Sequence, residues 1–315
     1  MNIAVVRDGG LGDIITILYF CNYHYHSGHN ITFIAHKRFH NFLLSQDCIS
    51  SAKESFNVKD FDLVLNFQAI EHELKNNNNH KYKFKNKINN KNCLNAKGLP
   101  DVTNAPLREI FYNYANSFLK TEPLFFKIKV PDYIDKQVKE YFKNFKKPII
   151  CVNHIATAFN RTLNIDEING LFINNQLGTL VNISSEYFIS KQNNAFEIFD
   201  KNFHFLSSLI KNCDILFTCN TGSLHIGNNY FKHVITFDNS WPIKEYNILH
   251  NPNLHILNPS NKCTNCRLHT GCWLDENVLK NTYNKDFNKE KTPSCCYFDH
   301  NLVIEKLKKI NNIIK

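Results

Sequence analysis

Within its first 25 residues the chain runs from a short apolar stretch, Ile3-Ala4-Val5-Val6, through R-D-G-G-L-G into the mostly apolar Asp13 to Tyr25. A run of four apolar residues makes a short buried strand, closely spaced glycines a tight turn, and the longer apolar run a helix. Strand, glycine turn and helix together open a Rossmann-like α/β unit. Gly10 and Gly12 match the start of a dinucleotide fingerprint, but Ile15 stands where G-x-G-x-x-G requires its third glycine. Asp13 argues against a phosphate as well, because two anions at one helix N-terminus repel each other. What this turn offers is a carboxylate attracted to backbone N–H groups and the helix dipole, which suits a general base. The alternative is that Asp13 only caps the helix.

A single core of this type is exhausted well before 315 residues, so two domains are expected. After the first helix, Asn30 to Ala35 is a strand, a helical stretch runs to about Leu44, and Asp62 to Phe67 is a third strand. Residues 71–106 are polar and aperiodic. They form a lid or acceptor-binding loop, or a plain surface insertion, near the carboxyl ends of the strands, where open α/β sheets bind ligands. Leu107 to Leu119 reads as helix and Phe125 to Val130 as an alternating strand. A helix over Ile134 to Phe145, set between Pro131 and Pro148, marks a joint between domains.

The pattern then restarts. Ile149 to Asn153, Thr179 to Ile183, Asp214 to Thr218 and Val234 to Phe237 are strands, and Phe203 to Asn212 is a helix. At Asn220-Thr221-Gly222 a strand again turns into a helix, here without an acidic residue. Small residues let backbone N–H groups approach a ligand, and the helix N-terminus and the Thr221 hydroxyl add to them, so a diphosphate fits this turn better than the first. His225, one helical turn further on the same face, is placed to donate to a phosphate or sugar oxygen, or is a hydrogen-bonded core residue. His154, Thr157, Asn160 and Arg161 form another polar cluster, in which Arg161 either neutralises a departing diphosphate or is an ordinary surface arginine.

Five segments in this order resemble glycosyltransferase family nine, the ADP-heptose:lipopolysaccharide heptosyltransferases and their relatives. They are G-G-L-G-D-I-I (Gly9 to Ile15), F-D-L-V-L-N-F-Q (Phe61 to Gln68), H-I-A-T-A-F-N-R (His154 to Arg161), Ser185-Glu186, and N-T-G-S-L-H-I (Asn220 to Ile226). The resemblance implies a GT-B fold, α/β with two Rossmann-like domains facing across a cleft. It further implies an inverting transfer from a nucleotide-diphosphate sugar to a glycan, lipopolysaccharide or protein acceptor, with no cofactor for catalysis. Carried over by position, Asp13 is the catalytic base, with Gly10 and Gly12 in the acceptor-side loop. Thr157 and Arg161 bind phosphate, Glu186 the ribose, and Asn220, Thr221, Gly222 and His225 the diphosphate sugar. The domains expected are 1–145 for the acceptor, 146–300 for the nucleotide sugar with a cysteine-rich segment at 263–296, and a final helix over 301–315. The family usually has Asp where this chain has Asn220, lysine where it has Arg161 and tryptophan where it has Leu163, which leaves the identity of the sugar open. A catalytically silent nucleotide-sugar binder is the competing reading.

Of the 11 cysteines, Cys21, Cys48, Cys93, Cys151, Cys213 and Cys219 are dispersed and read as reduced, buried small side chains. Cys263, Cys266 and Cys272, with Cys295 and Cys296 further on, have the spacing of a closed structural Zn or Fe site, or are reduced thiols. The formal charge of +9 comes from lysines scattered among asparagines rather than gathered in a stripe, which argues against nucleic acid; a metal-clipped nucleic-acid binder is the third reading. No run of 18 apolar residues and no leader pattern is present, so an unexported, cytoplasmic protein is expected. The basic amphipathic stretch Leu302 to Ile314 either packs back on the N-terminal lobe, as the resemblance implies, or lies on a membrane surface as a peripheral association.

Overall fold

The computed structural model describes residues 1–67, 93–94, 119–156, 162–175, 177–184, 195–198, 202–237, 251–258 and 298–314. The chain divides into two compact units, Met1–Pro131 and Asp132–Lys315. Among the described residues no helix is long and apolar enough to cross a membrane.

The first unit holds a five-stranded parallel sheet built from β1 (Asn2–Val6), β2 (Asn30–Ile34), β3 (Ser51–Lys53), β4 (Leu63–Asn66) and β5 (Cys93–Leu94), in the order β3-β2-β1-β4-β5. β1 pairs with β2 through Val6↔Ile34 on one side and with β4 through Val6↔Asn66 on the other. Parallel strands take helices on both faces, so both faces must be apolar. Ala4, Val6, Ile34 and Val64 accordingly pack with Phe61 in one cluster, while the alternate residues Ile3, Val5, Phe33 and Leu65 are equally buried. Helix α1 (Leu11–His26) is apolar around most of its circumference and buries Ile14 through Asn22 without interruption; α2 (His40–Leu44) is short and buries Phe42 and Leu43.

Two expectations in this unit need correction. The segment read as an insertion contributes β5, whose Cys93 and Leu94 pair with Val64 and Leu65 at the sheet edge; the rest of it, and the helix expected over Leu107 to Leu119 except its last residue, lie outside the described residues. Phe125 to Val130 is not a strand. It does alternate, burying Phe126 and Ile128, but its backbone is held by side chains: Asn22 Nδ2 donates to the Phe125 carbonyl at 2.8 Å, and the Lys129 N–H donates to Gln46 Oε1 at 3.0 Å. Period two reports which side is buried and not what satisfies the backbone.

The second unit carries a six-stranded parallel sheet of β6 (Ile149–Asn153), β7 (Thr179–Asn182), β8 (Ala195–Glu197), β9 (Ile215–Thr218), β10 (His233–Phe237) and β11 (Leu254–Leu257), in the order β11-β10-β9-β6-β7-β8. Numbered from its own first strand this is the Rossmann order 3-2-1-4-5-6. Its helices are α3 (Asp132–Phe142), α4 (Ile165–Asn175), α5 (Phe203–Asn212), α6 (Gly222–Asn229) and α7 (His300–Ile314). The core joins Val152, Phe217, Ile235 and Phe237 to Val303, Leu307 and Ile310 of α7. The expectation that this last helix packs on the N-terminal lobe is corrected: its stripe of Val303, Leu307 and Ile310 is buried in the core of the second unit. Cys21, Cys48, Cys151, Cys213 and Cys219 are buried, as expected, and form no disulfide among the described residues.

Helix α3 is locked onto α5 by a buried carboxylate. Asp135 accepts from Ser208 Oγ at 3.1 Å and Asn212 Nδ2 at 2.9 Å and pairs with Lys139 at 2.8 Å and Lys211 at 3.0 Å. Burial pushes this carboxyl up, but the bonds from Lys139, Asn212 and Lys211 outweigh it and hold Asp135 well below the usual carboxylate range. Replacing Asp135 by alanine strands these donors and is expected to destabilise the protein by about 2 kcal/mol, read from the urea midpoint; an unchanged midpoint would show that α3 is held by its apolar face alone.

Candidate functional site

In each sheet the first and fourth strands are neighbours, which makes the carboxyl ends of this pair the topological switch point, the crevice at which open α/β sheets bind ligands. Of the residues emphasised in the sequence, Gly10, Gly12 and Asp13 follow β1 and Asn220, Thr221, Gly222 and His225 follow β9. In the first unit Gly10 is the N-cap of α1, and Asp13 is the third residue of the helix rather than its cap. Its carboxylate reaches back to accept the Gly10 N–H at 3.1 Å, half of a capping box.

The same oxygen, Asp13 Oδ2, accepts from Arg7 Nη2 at 2.9 Å. Arg7 follows β1 directly and is 1% exposed, against 26% for the Asp13 side chain. Its Nη1 makes a long bond of 3.4 Å to the carbonyl of Phe67, just past β4, so the guanidinium spans the crevice from first strand to fourth. Gly9 makes room for the pair: a Cβ there would lie 2.5 Å from Asp13 Oδ2 and 2.8 Å from Arg7 Nε. Among the described residues no hydrogen bond reaches Asp13 Oδ1. The sequence signal for this partner is a charged residue ending an otherwise apolar strand run. Arg38 Nη2 donates to the Gly9 carbonyl at 3.1 Å, bracing the turn from the end of β2.

In the second unit Thr221 is the N-cap of α6, and its Oγ1 accepts the Ser223 N–H at 3.3 Å. Asn153, the last residue of β6, spans this crevice as Arg7 spans the other: its Nδ2 donates to Ser223 Oγ at 2.6 Å and approaches Thr221 Oγ1 at 3.5 Å. With these donors directed at the Thr221 oxygen, its own proton serves Thr218 Oγ1, 3.4 Å away, or a ligand. Asn220 is buried, while Gly222 and His225 are half-buried. Asn153 and Ser184 were not singled out in the sequence, although each is a polar residue closing an apolar strand run. Thr157, Arg161 and Glu186 lie outside the described residues, as do Cys263, Cys266, Cys272 and Cys295. Among the described residues no group of three or more His, Cys, Asp or Glu side chains is placed to hold a metal.

His154 is 2% exposed beside this crevice, with Nδ1 2.8 Å from Ser184 Oγ. The Ser184 hydroxyl also lies 3.3 Å from Asn153 Oδ1, so His154, Ser184, Asn153, Ser223 and Thr221 form one uncharged network. Burial lowers the His154 imidazole from 6.5 to about 4, and burial followed by the neighbouring His29 does the same to His24. Between about pH 6.5 and about pH 4 the unfolded chain therefore binds protons that the folded one does not, so stability is complete above this window and falls as the pH drops through it. Acidification from about pH 7 to about pH 4.5 is expected to cost on the order of 2 kcal/mol per ring, and His154→Gln should flatten the fall in melting temperature; the same slope in the variant would show that this ring is not held neutral by folding.

By sequence the chain matches no protein-family model and no curated protein. Its fold, however, is that of a class of glycosyltransferases. The chain superposes on a family 9 glycosyl transferase from Veillonella parvula with a TM-score of 0.68 at 11% identity, covering 99% of this chain and 97% of that one. It matches the ADP-heptose lipopolysaccharide heptosyltransferase II of E. coli with a TM-score of 0.62 at 13% identity, over 99% of each chain. The iron-containing dodecameric glycosyltransferase TibC of enterotoxigenic E. coli gives 0.59 at 12% identity, over 98% of this chain and 78% of that one.

Proposed function

We propose that the protein is an inverting glycosyltransferase that moves a sugar, a heptose from ADP-heptose, to a hydroxyl of a glycan, lipopolysaccharide or protein acceptor. The observation that carries this reading is the contrast between the two crevices. One presents a carboxylate with one oxygen held and the other accepting no hydrogen bond among the described residues; the other presents a helix N-terminus framed by neutral donors. The fold shared with family 9 glycosyltransferases supports the class of reaction, and the E. coli relative, named for ADP-heptose, supports the donor.

In this reading Asp13 takes the proton from the acceptor hydroxyl as that oxygen bonds to the anomeric carbon. The bond from that carbon to the diphosphate breaks with inversion, and the electron pair leaves with the nucleoside diphosphate. The N-terminus of α6, with Thr221 and Gly222, receives the diphosphate; His225 donates to it or to the sugar, and Thr157, Arg161 and Glu186 complete the donor site. No step requires a metal or cofactor, and a cytoplasmic location belongs to the same reading. Asn220 is the observation that favours the silent binder, since a buried amide stands where a carboxylate is usual in the family resembled.

Asp13→Asn is expected to lower turnover of ADP-heptose by about 1,000-fold and leave ADP affinity, measured by calorimetry, within about twofold. Unchanged turnover would remove Asp13 as the base, and lost ADP binding would show that the roles of the two crevices are reversed. A thermal-shift panel of nucleotide sugars tests the donor, and a wild-type protein that binds one but releases no sugar is the silent binder.

The cysteine segment carries a separate proposal. Thiolates of Cys263, Cys266, Cys272 and Cys295 are a donor set suited to a structural Zn or Fe, and the similar TibC is iron-containing. About one metal per chain is expected by elemental analysis of the purified protein, falling in Cys263→Ser; metal-free wild-type protein would leave these as reduced thiols.

A further inference from the structure

Reading Asp13 as a base leaves open how a carboxylate is kept in a productive orientation. The terminal torsion of aspartate is broad and nearly two-fold, so its two oxygens exchange easily unless something distinguishes them. Here two directional donors converge on one oxygen: Arg7 Nη2 and the Gly10 N–H both bind Oδ2. Arg7 in turn is among the largest fully buried side chains, and its other nitrogen reaches the Phe67 carbonyl. A Cβ on Gly9 would crowd both members of the pair.

We propose that Arg7 is the positioning residue of the transfer reaction, holding Asp13 Oδ2 so that Oδ1 is the atom that takes the acceptor's proton. The inference rests on Asp13 being the base and concerns a residue that touches neither substrate. Arginine is needed because its planar fork serves the carboxylate and the carbonyl at once, whereas a lysine ammonium is a single point that reaches only one of them well. The competing role is structural, a tie between β1 and the end of β4. Such a tie would lower stability without changing the turnover of the molecules that remain folded.

The test uses full-length protein with ADP-heptose as donor, following sugar released to an acceptor or to water, and ADP for affinity. Arg7→Ala is expected to lower kcat by about 100-fold with ADP affinity unchanged, and Arg7→Lys by about 10-fold. Millimolar methylguanidinium should restore part of the Arg7→Ala loss and none of the Asp13→Asn loss, a signature that a purely structural tie does not produce. A crystal structure of either Arg7 variant provides an arm that needs no activity: the carboxylate should turn and leave the Gly10 N–H. Should Arg7→Ala fail to fold, Arg7→Lys carries both arms. Wild-type turnover in the Arg7 variants, or an unmoved carboxylate, overturns the role of Arg7 while an inactive Asp13→Asn keeps the base reading. Full activity in Asp13→Asn overturns the base itself and the role of Arg7 with it.

Discussion

The adjacency of the first and fourth strands in each sheet is the constraint on which the candidate sites depend. A parallel strand must be followed by a crossover, and two neighbouring strands whose crossovers depart to opposite sides leave nothing to cover their carboxyl ends. At that edge the sheet's last residues and the first turn of the following helix meet solvent, and polar side chains become tolerable in an otherwise apolar architecture. Arg7 and Asn153 occupy equivalent places, at the ends of β1 and β6, and each reaches across to the chain that follows the neighbouring fourth strand. Both units therefore use one device, a polar side chain bracing the gap that the topology creates.

The two braces differ in cost and consequence. Burying a guanidinium requires a charged partner, and Asp13 supplies it; the net stabilisation is small, because desolvation of both groups offsets most of their attraction. An apolar pair of similar size would fold this corner about as well, so the ion pair is better explained by what it does to the carboxylate. Asn153 involves no such exchange. Its amide is satisfied by hydroxyls, and Ser184 and a neutral His154 extend the same network, so among the described residues the braces around the N-terminus of α6 are uncharged and leave its N–H groups an electrostatic preference for an anion.

Much of this was legible in the sequence because burial on both faces of a parallel sheet gives continuous apolar runs, and β1, β2, β4, β6, β7, β9 and β10 all read that way. The strands that escaped notice, β3, β5, β8 and β11, are the edge strands of the two sheets and are short, and β3, β8 and β11 leave much of their surface uncovered. The apolar signal fades where there is less to bury. Phe125 to Val130 failed in the opposite sense: its alternation is real, but Asn22 and Gln46, far away in sequence, replace the ladder. In the site, residue type and spacing located Asp13 and Thr221 but not their partners. Arg7 and Asn153 could be found only by asking why a polar residue ends an apolar run, a question that local periodicity does not pose.

The two readings of Asp13, helix cap and general base, are compatible. As the third residue of α1 it caps the helix through Gly10, and it does so with the oxygen that also meets Arg7. A carboxylate has more acceptor capacity than these two bonds use, and both fall on one atom. Capping and catalysis are then not rival explanations of the residue. The bonds that satisfy the helix and the buried cation are what leave Oδ1 distinct, and an aspartate serving only as a cap would need neither the buried guanidinium nor the glycine that makes room for it.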